Sequence, residues 1–121
     1  MKVKEIIEAI AGEILVPPAV DIEVDRAFAA DLMSDILVFA QPQMLMITGM
    51  INLQAVRTAE MSDMPVILFA RGKRPPAALL ELAQEIGIGI LLSPYTMYET
   101  SGLLYQAGLP GMGKLPTVQQ Q

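Results

Sequence analysis

The sequence predicts an α/β domain with three layers, α/β/α, built on a mainly parallel sheet, with an N-terminal helix and short strands ahead of a β-α-β-α-β-α half. Three observations predict it. MLMIT (44–48), PVILFA (65–70) and IGILLS (88–93) are short runs that are apolar or small throughout, as in strands buried on both faces. The segments between them carry apolar residues at helical spacing. A chain of 121 residues is long enough for one hydrophobic core and too short for two.

Val3, Ile6, Ile7 and Ile10 fall at i, i+3, i+4 and i+7 and predict a first helix, with Gly12 as its stop. GEILV and DIEVDRAFA follow as short β-favouring runs. Pro17 and Pro18 split them and belong in a connection or at an edge, because proline gives a sheet no donor. Met33, Ile36, Leu37 and Ala40 mark the next helix, with Asp31 as N-cap and Gln41-Pro42-Gln43 as its end. After MLMIT, a helix runs from about Leu53 to Ser62 with Asn52 as N-cap. After PVILFA, Pro75 suits a first helical turn, Leu79, Leu82, Ala83 and Ile86 form one face, and Gly87 closes the helix. After IGILLS, Thr96 to Glu99 has a capping-box pattern opening a helix to about Ala107, with Gly108 as stop.

Composition narrows the chemistry. With no cysteine, the chain has no disulfides, thiolate metal sites or cysteine nucleophiles, and with no histidine it lacks the usual general base and a common zinc ligand. No catalytic residue, metal site or cofactor is expected. Net charge is −5, and the Lys and Arg residues are scattered apart from Arg71, Lys73 and Arg74, which argues against nucleic acid as a partner. The apolar runs are too short to span a membrane, and Glu5 and Glu8 interrupt any signal-peptide core, so the expected location is cytoplasmic.

In open parallel sheets, ligands bind beyond the carboxyl ends of the strands, where helix N-termini attract anions. Here that edge collects 48–52, 71–74 and 93–96. Thr48, Asn52, Ser93 and Thr96 offer hydrogen bonds, Gly49 and Gly72 allow close backbone approach, and Arg71 and Lys73 bring charge. These eight are the candidate ligand-binding residues. Each also has a plain structural reading: the glycines as turns, Asn52 and Thr96 as caps, and the basic residues as a solvated loop. Asp31 joins the edge if the strand at Phe28 to Ala30 runs parallel to the others, and otherwise caps its helix.

Two motifs fail on their surroundings. Gly108-Leu109-Pro110-Gly111-Met112-Gly113-Lys114 matches seven positions of a P-loop, but Leu115 stands where the magnesium-binding hydroxyl belongs and Pro116 blocks the helix that should follow. Asp21, Glu23 and Asp25 alternate as on a solvated strand face. The nine methionines, among them Met44, Met46, Met50, Met61 and Met64, fill gaps in a core or, where exposed, form an adaptable contact face.

AADLMSDIL, LMITGMINLQAVRTAEMSDMPVILFARGKRP and LAQEIGIGILLSPYTMYETSGLLYQAGL, spanning Ala29 to Leu109, together resemble the DRTGG domain family. Such domains stand alone or are inserted in CBS-domain pyrophosphatases and bacterial phosphotransacetylases, and they are similar to the N-terminal domain of HPr kinase/phosphorylase. Thr48, Gly49 and Gly72 match the family pattern by position. Met50-Ile51-Asn52 replaces its Asp-Arg pair, and Arg71-Gly72-Lys73 its Thr-Gly-Gly. One domain over 1–109 is expected, followed by a flexible C-terminal tail over 110–121, which has turn residues, little periodicity and a polar end, while the resemblance implies a non-catalytic regulatory role, since the kinase domain of the relatives is absent. It also implies a homodimer, and the three-loop edge is expected to take a small anionic or nucleotide-like ligand, a nucleotide or phosphometabolite. The alternative is an adaptor for a partner enzyme, redox- or hydrogenase-associated, with no small-molecule ligand.

Overall fold

The chain, described over residues 1–116 in a computed structural model, carries five strands and five helices among those residues. In chain order they are α1 (Val3–Ile10), β1 (Glu13–Val16), β2 (Ala27–Ala29), α2 (Met33–Phe39), β3 (Leu45–Thr48), α3 (Leu53–Met61), β4 (Val66–Phe69), α4 (Ala77–Ile86), β5 (Gly89–Leu92) and α5 (Met97–Gln106). The sheet order is β1-β5-β4-β3-β2. β2 to β5 are parallel, and β1 joins β5 antiparallel at the far edge. The expected α/β class and the β-α-β-α-β-α half are both present.

The pleat divides the core. Leu45, Ile47, Val66, Leu68 and Leu91 point to one face, against Ile6, Ile10 and Leu104 of α1 and α5. Met46, Ile67, Phe69, Ile90 and Leu92 point to the other, against Met33, Ile36, Val56, Leu79 and Ala83 of α2, α3 and α4. All four residues of each of β3, β4 and β5 are buried, which is why these strands read as unbroken apolar runs. Each buried aliphatic side chain contributes roughly 1.5–3 kcal/mol. Because β2 to β5 follow chain order, every right-handed crossover steps the same way, which places α2, α3 and α4 on a single face.

Four local expectations change. The left-handed residue that ends α1 is Ala11 (φ 49°), not Gly12. Gly12 is needed for a different reason: a Cβ there would sit 2.7 Å from the Leu92 carbonyl oxygen, so only glycine lets α1 turn this tightly into β1. Of DIEVDRAFA, only Ala27–Ala29 enters the sheet. Upstream, Val24 is buried under α1 and donates its N–H to the Met1 carbonyl, while Glu23 makes an isolated bridge to Lys2. α4 begins at Ala77 with Pro76 as its cap residue, so Pro75 lies outside the first turn. Only the Thr96 half of the capping box at α5 forms among the described residues, its Oγ1 accepting the Glu99 N–H at 3.4 Å.

Past α5, Leu109 is buried beside α1 and α5, and the Pro110 carbonyl accepts the Ala27 N–H at 3.0 Å. The expected tail of 110–121 thus begins against β2, and its last part, 117–121, lies outside the described residues. No helix among the described residues is long and apolar enough to cross a membrane.

Candidate functional site

The carboxyl ends of β3, β4 and β5 bring the 48–52, 71–74 and 93–96 loops together, and hydrogen bonds lock them to one another. At the end of β4, Arg71 and Gly72 are both left-handed (φ 75° and 69°). That turn aims two successive N–H groups at the next loop: Arg71 donates to the Tyr95 carbonyl and Gly72 to the Ser93 carbonyl, each at 2.7 Å. The Arg71 side chain reaches the other way, Nη2 donating to the Gly49 carbonyl at 3.1 Å. One residue therefore ties all three loops together.

Asp31 enters from the fourth strand. Because β2 is parallel to β3, the chain leaves Ala29 at the same edge, and Asp31 is not the N-cap of α2; Leu32 is, with no side-chain cap bond. Asp31 Oδ1 instead accepts the Gly49 N–H at 2.7 Å and the Thr48 hydroxyl at 3.1 Å. Gly49 lies between opposite charges, since a Cβ on it would be 3.4 Å from both Asp31 Oδ1 and Arg71 Nε.

The eight candidates do not all face outward. Thr48 is buried, giving its hydroxyl to Asp31 and accepting the Met50 N–H at 3.1 Å. Asn52 caps α3, its Oδ1 accepting the Ala55 N–H at 3.0 Å, and Thr96 caps α5. Ser93 is buried, with its Oγ 2.7 Å from Thr100 Oγ1 and accepting the Tyr95 N–H. Gly49 and Gly72 shape the backbone, and Arg71 and Lys73 carry exposed charge. No carboxylate of the described residues lies within 4.0 Å of either cation, whereas Arg74 is held by Glu13 through bonds of 2.9 and 3.0 Å. Asp31, Tyr95 and Thr100 were not among the candidates. The parallel β2 was the one sequence signal for Asp31; Tyr95 acts through its carbonyl and Thr100 through a buried contact, and neither leaves a pattern.

The parallel strands wind in one direction, so no reversal of strand order opens a crevice between them. A shallow groove of about 490 Å³ instead borders the edge, lined by Gly12, Glu13, Gly72, Arg74, Leu92 and Pro94. It lies where antiparallel β1 begins beside the end of β5. Among the described residues there is no cluster of three or more Asp and Glu side chains able to hold a metal by itself.

These features define a class, an α/β domain of DRTGG-like fold with a basic, internally braced loop edge. The fold is similar to that in the crystal structure of the CBS and DRTGG domains of the regulatory region of Clostridium perfringens pyrophosphatase complexed with activator, diadenosine tetraphosphate. The TM-score is 0.69 at 15% sequence identity, covering 89% of this chain and 47% of that one. At this identity the likeness is one of fold, and this chain spans just under half the neighbour's length. No protein-family model matches the sequence, and no curated protein does.

Proposed function

We propose that the chain is a non-catalytic regulatory module that binds a small anionic, nucleotide-like ligand at the carboxyl edge of its sheet and works as a homodimer. The observation that carries the ligand reading is the pair of exposed cations Arg71 and Lys73, left without a carboxylate partner among the described residues, on a loop braced against both of its neighbours. Cations on a braced loop with no ion pair to hold them suit recognition of phosphate. The similarity of fold to a regulatory region complexed with diadenosine tetraphosphate supports the same reading, and the resemblance to DRTGG domains supports the dimer.

The test is thermal unfolding with ATP and diadenosine tetraphosphate at millimolar concentration, together with light scattering for mass. A ligand at about 100 times its Kd stabilises by about 2.7 kcal/mol, a Tm rise of about 10 °C for a domain this size. Arg71→Ala with Lys73→Ala removes the rise. An unchanged Tm with every nucleotide discards the ligand reading, and a monomeric mass discards the dimer.

A second reading, an adaptor for a partner enzyme, is favoured by the exposed aromatic face of α5, where Tyr98 is 84% and Tyr105 72% accessible. It predicts no nucleotide response, and a partner whose binding is lost in Tyr98→Glu with Tyr105→Glu.

A further inference from the structure

Resting on the reading of this edge as an anion site, we propose that the ligand is a polyphosphate bound together with Mg²⁺, with Asp31 as the protein's anchor for the metal. The first ground is what the loop backbone has already given away. The N–H groups of Gly49, Met50, Arg71, Gly72 and Tyr95 all donate inside the protein, to Asp31, Thr48, Tyr95, Ser93 and Ser93. With these five amides spent, contact with a ligand beside Gly49, Gly72 and Tyr95 falls to side chains. Those side chains are two cations, Arg71 and Lys73, and one anion, Asp31, which flanks Gly49 opposite Arg71.

The second ground is the state of the Asp31 carboxylate. Its Oδ1 accepts two hydrogen bonds, from Gly49 and Thr48, which fix the group in orientation. Its Oδ2 has no hydrogen-bond partner among the described residues, and Asp31 is exposed. A free carboxylate oxygen across Gly49 from Arg71 repels a bare phosphate chain. The same oxygen becomes an attraction once a hard divalent cation lies between, and Mg²⁺ is typically held by one or two carboxylates plus substrate phosphates and waters. Arg71 and Lys73 then take phosphate oxygens that the metal does not.

Titration calorimetry of the full chain with ATP, in Mg²⁺ and in EDTA, reads the proposal directly. The wild type binds ATP about tenfold or more tightly with Mg²⁺, and Mg²⁺ alone gives no heat. Asp31→Asn keeps an oxygen to accept the Gly49 N–H while removing the charge. It binds metal-free ATP up to about fivefold more tightly, the worth of one nearby exposed charge, and loses the Mg²⁺ gain. If ATP binds wild type equally with and without Mg²⁺, or Asp31→Asn retains the gain, the metal anchor is wrong while the anion site stands. If ATP binds in neither condition, both are wrong. Should Asp31→Asn fail to fold, Mn²⁺ with ATP on the wild type decides instead. Paramagnetic broadening centred on the Thr48 and Gly49 amides supports the anchor, and broadening centred elsewhere overturns it.

Discussion

Arg71 pays for its position with its backbone. A left-handed φ of 75° costs a residue with a side chain about 1–2 kcal/mol, and glycine occupies that region freely at the expense of a more flexible unfolded chain. Two substitutions therefore separate strain from recognition. Arg71→Ala loses the bond to Gly49 and keeps the strain; Arg71→Gly loses the same bond and releases it. Arg71→Gly is expected to be more stable than Arg71→Ala by about 1 kcal/mol, read as a higher urea midpoint at unchanged slope. Neither variant responds to nucleotide. Equal midpoints would show that the turn is unstrained at this residue.

At the scale of elements, the loop between β4 and α4 is fastened to the start of β1, 61 residues away in sequence, by the two bonds from Arg74 to Glu13. The hydrogen bond from Arg74 and the attraction of its charge hold the Glu13 carboxyl below its usual value of 4.5, and Arg74 is raised in turn. A carboxylate whose pKa is depressed on folding adds stability above its unfolded pKa and loses that contribution as pH falls through the folded one. Both groups are exposed, so salt weakens the effect. The wild type should exceed Glu13→Gln in urea midpoint at about pH 6 in low salt, and the gap should narrow as the pH falls below the usual carboxyl value of 4.5. A gap that is constant with pH would remove the ion pair as its cause. The same scale explains what the sequence disclosed. β3, β4 and β5 with α3, α4 and α5 were legible because burial on two faces and helical periodicity are local signals. The segment 21–25 was not, because its place depends on α1 lying over it. Asp31 was open between cap and site because the choice turns on the direction of a three-residue strand. Asn52 and Thr96 are caps, and Ser93 turns inward to Thr100, whose part no spacing announced.

For the whole molecule, the weak point is β2, three residues long at the edge of the sheet. An open edge strand offers unpaired backbone groups to other chains. The segment after α5 closes it: Leu109 is buried on the α1 and α5 face, Pro110 accepts the Ala27 N–H, and Met112 packs on the α2, α3 and α4 face. The chain thus passes around the edge from one side of the sheet to the other. Leu109→Ala is expected to cost about 2–5 kcal/mol, the range for a large aliphatic side chain lost from a core. Two truncations carry the argument further. A chain ending at Gly108 should be less stable than one ending at Met112 by at least that amount and more prone to aggregate, because it loses the Leu109 anchor and uncovers β2 together. Equal urea midpoints for the two truncations would place the boundary of the folded unit before Leu109, and leave the edge of β2 without need of a cover.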